Sequence, residues 1–273
     1  MHSYWFFIGS FPVRSYSTIF ALAFLLGLGV TLYLAKIRGN PGDADHWWGL
    51  APWLLVGGIV GARFWQVFFF DWGYYSQHPG QIVQVWNGGL SIQGGIAGAL
   101  VAAIWYLRRH RLSFLHFADI ATPGILLGQS IGRDADFMNG SAFGAPTHKG
   151  FGEVYPPGTL AYETYGSQPL WPAVTWEGMV DVALFALLFV ILQRKKGWPL
   201  GFPFGYYLVA YNVCRFFLEM LRGDSPRGVF GWDAAQWTAL VSVAAGLALL
   251  IWVFLKEKRK TPLGVHDRAG EGE

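Results

Sequence analysis

The sequence predicts an all-α membrane protein of about seven spanning helices, and three observations carry that expectation. Charge is scarce: 14% of the 273 residues are Asp, Glu, Lys or Arg, against about 25% in a soluble chain. Apolar residues make up 53% and include 22 Phe and 14 Trp, an aromatic load that disordered chains lack. Those residues fall into runs close to the length of about 20 that a helix needs to cross hydrocarbon. The runs cover approximately 17–35, 50–70, 90–107, 114–132, 174–192, 201–221 and 235–255 of one polytopic domain, 1–273.

The first run follows a stretch whose one basic residue is Arg14. It lacks the basic n-region and short apolar core of a cleaved signal, and is expected to stay as a span. The second and third are uninterrupted except for Arg63 and several glycines. The fourth is the weakest, since it contains Asp119 and Gln129. It is needed because without it the basic clusters would fall on inconsistent sides. Lys36 and Arg38 follow the first span, Arg108, Arg109 and Arg111 the third, Arg194, Lys195 and Lys196 the fifth, and Lys256, Lys258, Arg259 and Lys260 the seventh. Each cluster follows an odd-numbered span, and with Arg268 that side holds 13 of the 20 basic residues. Such a bias marks the cytoplasm, which leaves the N-terminus outside. The net charge of +3 reports this bias and gives no reason to invoke nucleic acid. Cys214, the single cysteine, lies in the sixth span. It excludes an internal disulfide and reads as a packing residue.

The external segments are then 1–16, 71–89, 133–173 and 222–234. The third, rich in Gly, Pro, Tyr and Trp, is expected to form a small cap, and the tail after Lys260 to be disordered. No internal repeat of the kind found in inverted-repeat transporters is visible.

Several charged residues lie where lipid makes them costly: Arg63, Asp119, Asp181, Arg215 and Glu219. Such residues face the bundle interior and mark either a functional path or a buried pair. In the sixth span Tyr211, Arg215, Glu219 and Arg222 follow steps of four, four and three, one stripe of a helix. An Arg–Glu pair at that spacing is a routine structural device. Two guanidinium forks and a phenol near the outer surface also suit phosphate oxygens, and a phospholipid head group is the natural candidate.

The third span opens as Trp86-Asn87-Gly88-Gly89-Leu90-Ser91-Ile92-Gln93-Gly94-Gly95, where Gly94 and Gly98 have the spacing of closely packed helices. At the outer end of the fourth comes Gly132-Arg133-Asp134-Ala135-Asp136-Phe137-Met138-Asn139-Gly140-Ser141-Ala142-Phe143-Gly144. An Arg, two Asp and an Asn within seven residues do not suit a lipid-facing surface. No cluster with metal-ligand spacing is visible, and no cofactor is expected.

These segments resemble the prolipoprotein diacylglyceryl transferases of bacterial inner membranes. That family's signature runs approximately Gly-Arg-x-Gly/Ala-Asn-Phe-x-Asn-x-Glu-x-x-Gly, and this chain matches it at Gly132, Arg133, Ala135, Phe137, Asn139 and Gly144. The glycine-rich third span, the Arg215–Glu219–Arg222 stripe, Tyr16 and Tyr211 also fit. The chain departs at Gln93 and Trp171, where the family usually has His, at Asp136 for Asn, and at Ser141 for Glu.

The resemblance implies transfer of the diacylglyceryl group of phosphatidylglycerol to the lipobox cysteine in the signal peptide of a prolipoprotein, with glycerol phosphate leaving. It implies an inner-membrane enzyme with Arg133 and Arg215 stabilising the leaving phosphate and Gln93 orienting a substrate. Tyr16, Arg63, Asp136, Asn139, Gly144, Tyr211, Glu219 and Arg222 would bind substrate, with Arg222 guiding the head group. Gln93 cannot titrate. The thiol is therefore expected to ionise in the field of Arg133 and Arg215, with Asp136 as the alternative acceptor. Two other readings stay open on the residues alone: a non-catalytic binder of phospholipid or prolipoprotein, and a lipid or anion transporter.

Overall fold

The computed structural model describes residues 4–8, 11–194 and 197–260. Lys195, Lys196, Arg268 and the tail after Lys260 lie outside the described residues. Seven helices of 18 residues or more dominate them: α1 (Ser15–Arg38), α2 (Asp43–Trp65, continued as a π-helix over Gln66–Phe70), α3 (Ile92–Arg109), α4 (Phe114–Asn139), α5 (Ala173–Arg194), α6 (Phe202–Glu219) and α7 (Ala234–Lys260). Each falls on one expected run. Four of them, Ser15–Arg38, Asp43–Phe70, Ala173–Arg194 and the stretch Ala234–Lys258 of α7, are long and apolar enough to cross a membrane. Leu25, Val60, Met179 and Val241, one on each of these four helices, are each about 60% or more exposed. Apolar surface of that kind is stable in lipid, and the chain is an all-α membrane protein. One feature departs from that class. The first external segment pairs as a short antiparallel hairpin of β1 (Tyr4–Ile8) and β2 (Phe11–Arg14), with Tyr4 opposite Arg14 and Ile8 opposite Phe11. The run Tyr-Trp-Phe-Phe-Ile has the aromatic, β-favouring composition for it.

The chain divides into two compact units, Leu32–Phe117 and Met1–Thr31 with Ala118–Glu273. In the first, α2 and α3 cross closely. A Cβ on Gly98 would strike the Gly57 carbonyl and lie 2.8 Å from the Cα of Gly61, and one on Gly94 would strike the Gly61 carbonyl. The expected small-residue seam is therefore the contact itself. Arg63 is 6% exposed. Its guanidinium donates to the carbonyls of Gln81 at 2.5 Å, Ile82 at 2.8 Å, Gly88 at 2.6 Å and Gly89 at 2.8 Å. It sits 4.8 Å from the Tyr75 ring centre. Its donors are committed to the loop of the second external segment, so its visible work is to hold that loop. Gln93 stands exposed in the first turn of α3 and accepts from the Ser91 hydroxyl at 2.7 Å.

In the second unit, α1 and α4 meet at Gly27 and Gly124, where a Cβ on either would strike the other's carbonyl. Asp119, read from sequence as a path residue or a structural pair, is a helix cap. Its carboxylate accepts from the backbone N–H of Gly201 at 2.6 Å and of Phe204 at 3.0 Å, the orphan donors at the start of α6. α4 runs seven residues past the expected end of its span and stops at Gly140, whose φ of +66° is the left-handed turn that glycine supplies most easily. The cap accordingly starts after Asn139 rather than at 133. Its small core holds Phe143, Tyr155, Ala161 and Leu170. The Tyr155 phenol donates to Glu153 at 3.3 Å, and burial, with Glu153 beside it, pushes that phenol up from its ordinary value.

Candidate active site

The second unit brings together charged side chains from α4, α5, α6 and the segment after α6. Their centre is Glu177, 3% exposed in the second turn of α5. Its carboxylate meets the Arg133 Nε at 3.0 Å and the Arg215 Nη1, with an Arg222 nitrogen 3.8 Å away. Arg133 from α4 thus converges with Arg215 and Arg222, more than eighty residues on, at one buried carboxylate. Each has a second acidic partner. Arg133 Nη1 donates to Asp136 at 2.9 Å, and Arg215 Nη2 lies 2.6 Å from Glu219. Arg222 holds Asp224 by two parallel bonds of 2.7 and 2.8 Å. Arg215 and Glu219 are the i,i+4 pair expected from spacing.

Local structure explains how these groups are held. The Ser130 hydroxyl donates to the Gly178 carbonyl at 3.0 Å, which ties α5 to α4 beside Arg133. The loop after α4 pairs antiparallel with the segment after α6, through an Ala145 N–H to Leu221 at 2.8 Å and a Gly223 N–H to Phe143 at 3.0 Å. That pairing sets Arg222 beside Gly144. A Cβ on Gly144 would collide with the Trp171 carbonyl. Gly144→Ala is therefore expected to cost about 1–3 kcal/mol through overpacking. It should lower both the detergent-solubilised monodisperse yield and any activity of the cluster. A normal yield and unaltered activity would show that the loop can retreat.

Arg227 completes the frame. One of its nitrogens donates to the carbonyls of Glu219 at 2.9 Å, the last residue of α6, and of Met220 at 3.3 Å and Arg222 at 3.1 Å in the turn that follows. Glu219, 1% exposed, also accepts from the Ser225 hydroxyl at 2.7 Å.

Of the residues expected at the site, Arg133, Asp136, Arg215, Glu219 and Arg222 form this cluster directly. The charges of Arg133 and Asp136 act on Tyr16, and those of Arg133 and Arg215 act on Tyr211, which stacks on Tyr207 with ring centres 5.3 Å apart. Gly144 shapes the adjoining loop. Asn139 is exposed at the end of α4, where its amide reaches the Ser141 hydroxyl at 3.4 Å. Ser141, in the place of the family's Glu, lies 3.3 Å from the Asp136 carboxylate. Gln93 and Arg63 belong to the first unit.

Sequence reasoning missed Glu177 and Arg227. Glu177 had a signal: it is an acid inside a predicted span, four residues before Asp181 on the same helix face. Arg227 had none, since its acceptors are backbone carbonyls.

Chemically, the cluster offers guanidinium forks fixed by a buried carboxylate, close to the loop that follows α4. Such forks bind phosphate oxygens and stabilise charge that grows on a phosphate leaving group.

Comparison with known proteins adds family information. A family model described as prolipoprotein diacylglyceryl transferase matches residues 3–252. The chain is 36% identical to a phosphatidylglycerol–prolipoprotein diacylglyceryl transferase of Nostoc sp., covering 97% of this chain and 94% of that protein. It is 35% identical to proteins of the same name from Lysinibacillus sphaericus, over 93% and 92% of the two chains, and Symbiobacterium thermophilum, over 96% and 95%.

Proposed function

The chain belongs to the prolipoprotein diacylglyceryl transferase family, and from that membership together with its arginine cluster we infer what it does. It is a transferase that moves the diacylglyceryl group of phosphatidylglycerol to the cysteine thiol of a prolipoprotein, the first step of bacterial lipoprotein maturation. The observation that carries this reading within the molecule is the convergence of Arg133, Arg215 and Arg222 on Glu177.

The reaction forms a C–S bond and breaks the bond between the glycerol carbon and the phosphate oxygen. Negative charge grows on the departing glycerol phosphate. Arg133 and Arg215 are placed to stabilise it, because their orientation is set before substrate arrives and needs no rearrangement in the transition state. Arg222 guides the anionic head group, and Tyr16, Asp136, Asn139, Gly144, Tyr211 and Glu219 shape and hold the polar end of the lipid. Gln93 and Arg63 are candidate substrate contacts, each to be tested by its own alanine variant. The cysteine acceptor lies in the lipobox of a signal peptide.

The direct test supplies the purified protein with phosphatidylglycerol and a lipobox peptide. A thioether-linked diacylglyceryl peptide is expected by mass, together with released glycerol phosphate. Absence of that product with a correctly folded protein would leave a lipid-binding role instead.

The proposed setting is the inner membrane, crossed seven times with the N-terminus outside. The basic clusters support this orientation. Reporter fusions after Arg111, Arg194 and Lys260 should read cytoplasmic, and one near Lys149 external. Cytoplasmic labelling at Lys149 would end the seven-span arrangement.

A further inference from the structure

Resting on the transferase reading above, we propose that Asp181 is the base that takes the proton of the substrate thiol. The reaction requires an acceptor. As sulfur attacks carbon, the S–H electron pair becomes the new C–S bond, the C–O pair leaves with the phosphate, and the thiol proton must go to a base. Gln93, at the position where the family usually has His, has an amide that does not titrate. Ionisation by the field of the arginines alone meets an obstacle in the structure. The four guanidiniums of Arg133, Arg215, Arg222 and Arg227 share their neighbourhood with the carboxyls of Asp136, Glu177, Glu219 and Asp224, so much of the positive field is compensated.

Those four carboxyls are also poor bases on geometric grounds, because a base needs a free lone pair. Asp136 is held by Arg133 at 2.9 Å, and Glu177 by both Arg133 and Arg215. Glu219 is held by Arg215 at 2.6 Å and Ser225 at 2.7 Å, and Asp224 is gripped at both oxygens by Arg222.

Asp181 differs. It lies one helical turn beyond Glu177 on α5 and is 2% exposed. Its Oδ2 has no hydrogen-bond partner, a lack shared by the Oε2 atoms of Glu177 and Glu219, but those sit against Arg133 and Arg215, whereas no cation lies within ion-pair distance of Asp181 among the described residues. The charges of Arg133 on α4, Glu177 on α5 and Arg215 on α6 all act on it. From α6 it also faces Tyr207, Tyr211 and Cys214. A second orphan acceptor, the Oε1 of Gln129 on α4, belongs to the same patch, since the Gln129 side chain meets the Tyr207 phenol. Buried acceptors without donors are costly and rare. Asp181 Oδ2 and Gln129 Oε1, which have no guanidinium against them either, fit a donor that comes from outside the chain.

The test uses the purified full-length protein, phosphatidylglycerol, and two lipobox peptides that differ only in carrying cysteine or selenocysteine. A selenol is already ionised at neutral pH and needs no base. In Asp181→Asn, transfer to the cysteine peptide should fall by about 100-fold or more, as loss of a general base does. Transfer to the selenocysteine peptide should stay within a few-fold of wild type. The ratio of the two rates decides the matter, because it does not depend on how much of the variant folds. Arg215→Ala should instead lose both activities, leaving that ratio near the wild-type value. An unchanged ratio in Asp181→Asn, or undiminished transfer to cysteine, overturns the assignment. If the wild-type protein modifies neither peptide, the transferase reading itself fails.

Discussion

Alanine at Arg133 or Arg215 is expected to lower diacylglyceryl transfer by about 10²–10³-fold, the scale on which losing one preorganised donor to a developing anion is felt. The loss should appear in kcat more than in KM, because the interaction strengthens as charge moves onto the leaving phosphate. Lysine should restore little. Its ammonium is a point charge, whereas each guanidinium here holds Glu177 and a second carboxylate at once: Asp136 for Arg133, Glu219 for Arg215. Product quantified by mass over a phosphatidylglycerol titration separates the two parameters. Wild-type turnover in Arg215→Lys would reduce Arg215 to the structural half of a pair with Glu219.

The second large effect is expected at Glu177, and its character differs. Glu177→Ala removes the buried carboxylate shared by Arg133 and Arg215 and leaves two half-buried guanidiniums short of a partner. Breaking a buried pair in this way costs about 3–5 kcal/mol, mostly from the uncompensated charge left behind. The variant should therefore melt well below wild type in detergent and be inactive. Glu177→Gln keeps the shape and removes the charge, so it should fold better than alanine and still transfer poorly because the two arginines lose their common anchor. A thermal melt followed by activity of the surviving monodisperse fraction tests both parts. A Glu177→Ala protein as stable and active as wild type would mean that the arginines are held by Asp136, Glu219 and Asp224 alone.

The two residues fail for different reasons, and the difference bears on how the site works. On the proposed function the arginines act on the reacting phosphate, whereas Glu177 acts through them as a positioning residue. Three helices and the segment after α6 have to agree on the place of one carboxylate, and the absence of a side chain at Gly144, under the Trp171 carbonyl, makes that possible. Arg227 and Asp119 serve the same end from the two ends of α6, one on its last carbonyl and the other on its first N–H groups. Asp119 drew attention as a charge inside a span, yet its oxygens are used by backbone. Arg63 is a parallel case, with its donors on the carbonyls of residues 81–89.

The sequence by itself determined where the helices lie, because the pattern of apolar runs and charged breaks is local and the lipid environment enforces it at every turn. It also determined that α3 packs closely on a neighbouring helix through its small residues, though not on which one, and the pairing of Arg215 with Glu219, which helix geometry brings together without help. It listed most of the charged residues that would matter. Only the tertiary structure decided which of them share a site and which serve the backbone. Glu177 is 38 residues from Arg215 and acquires its partners when α4, α5 and α6 pack. Asp181 and Glu177 look equivalent as sequence, two acids on one helix face. Packing gives one of them the guanidiniums and leaves the other with a free oxygen, and that distinction exists only in three dimensions because a charge is assigned its role by what lies within a few ångströms of it.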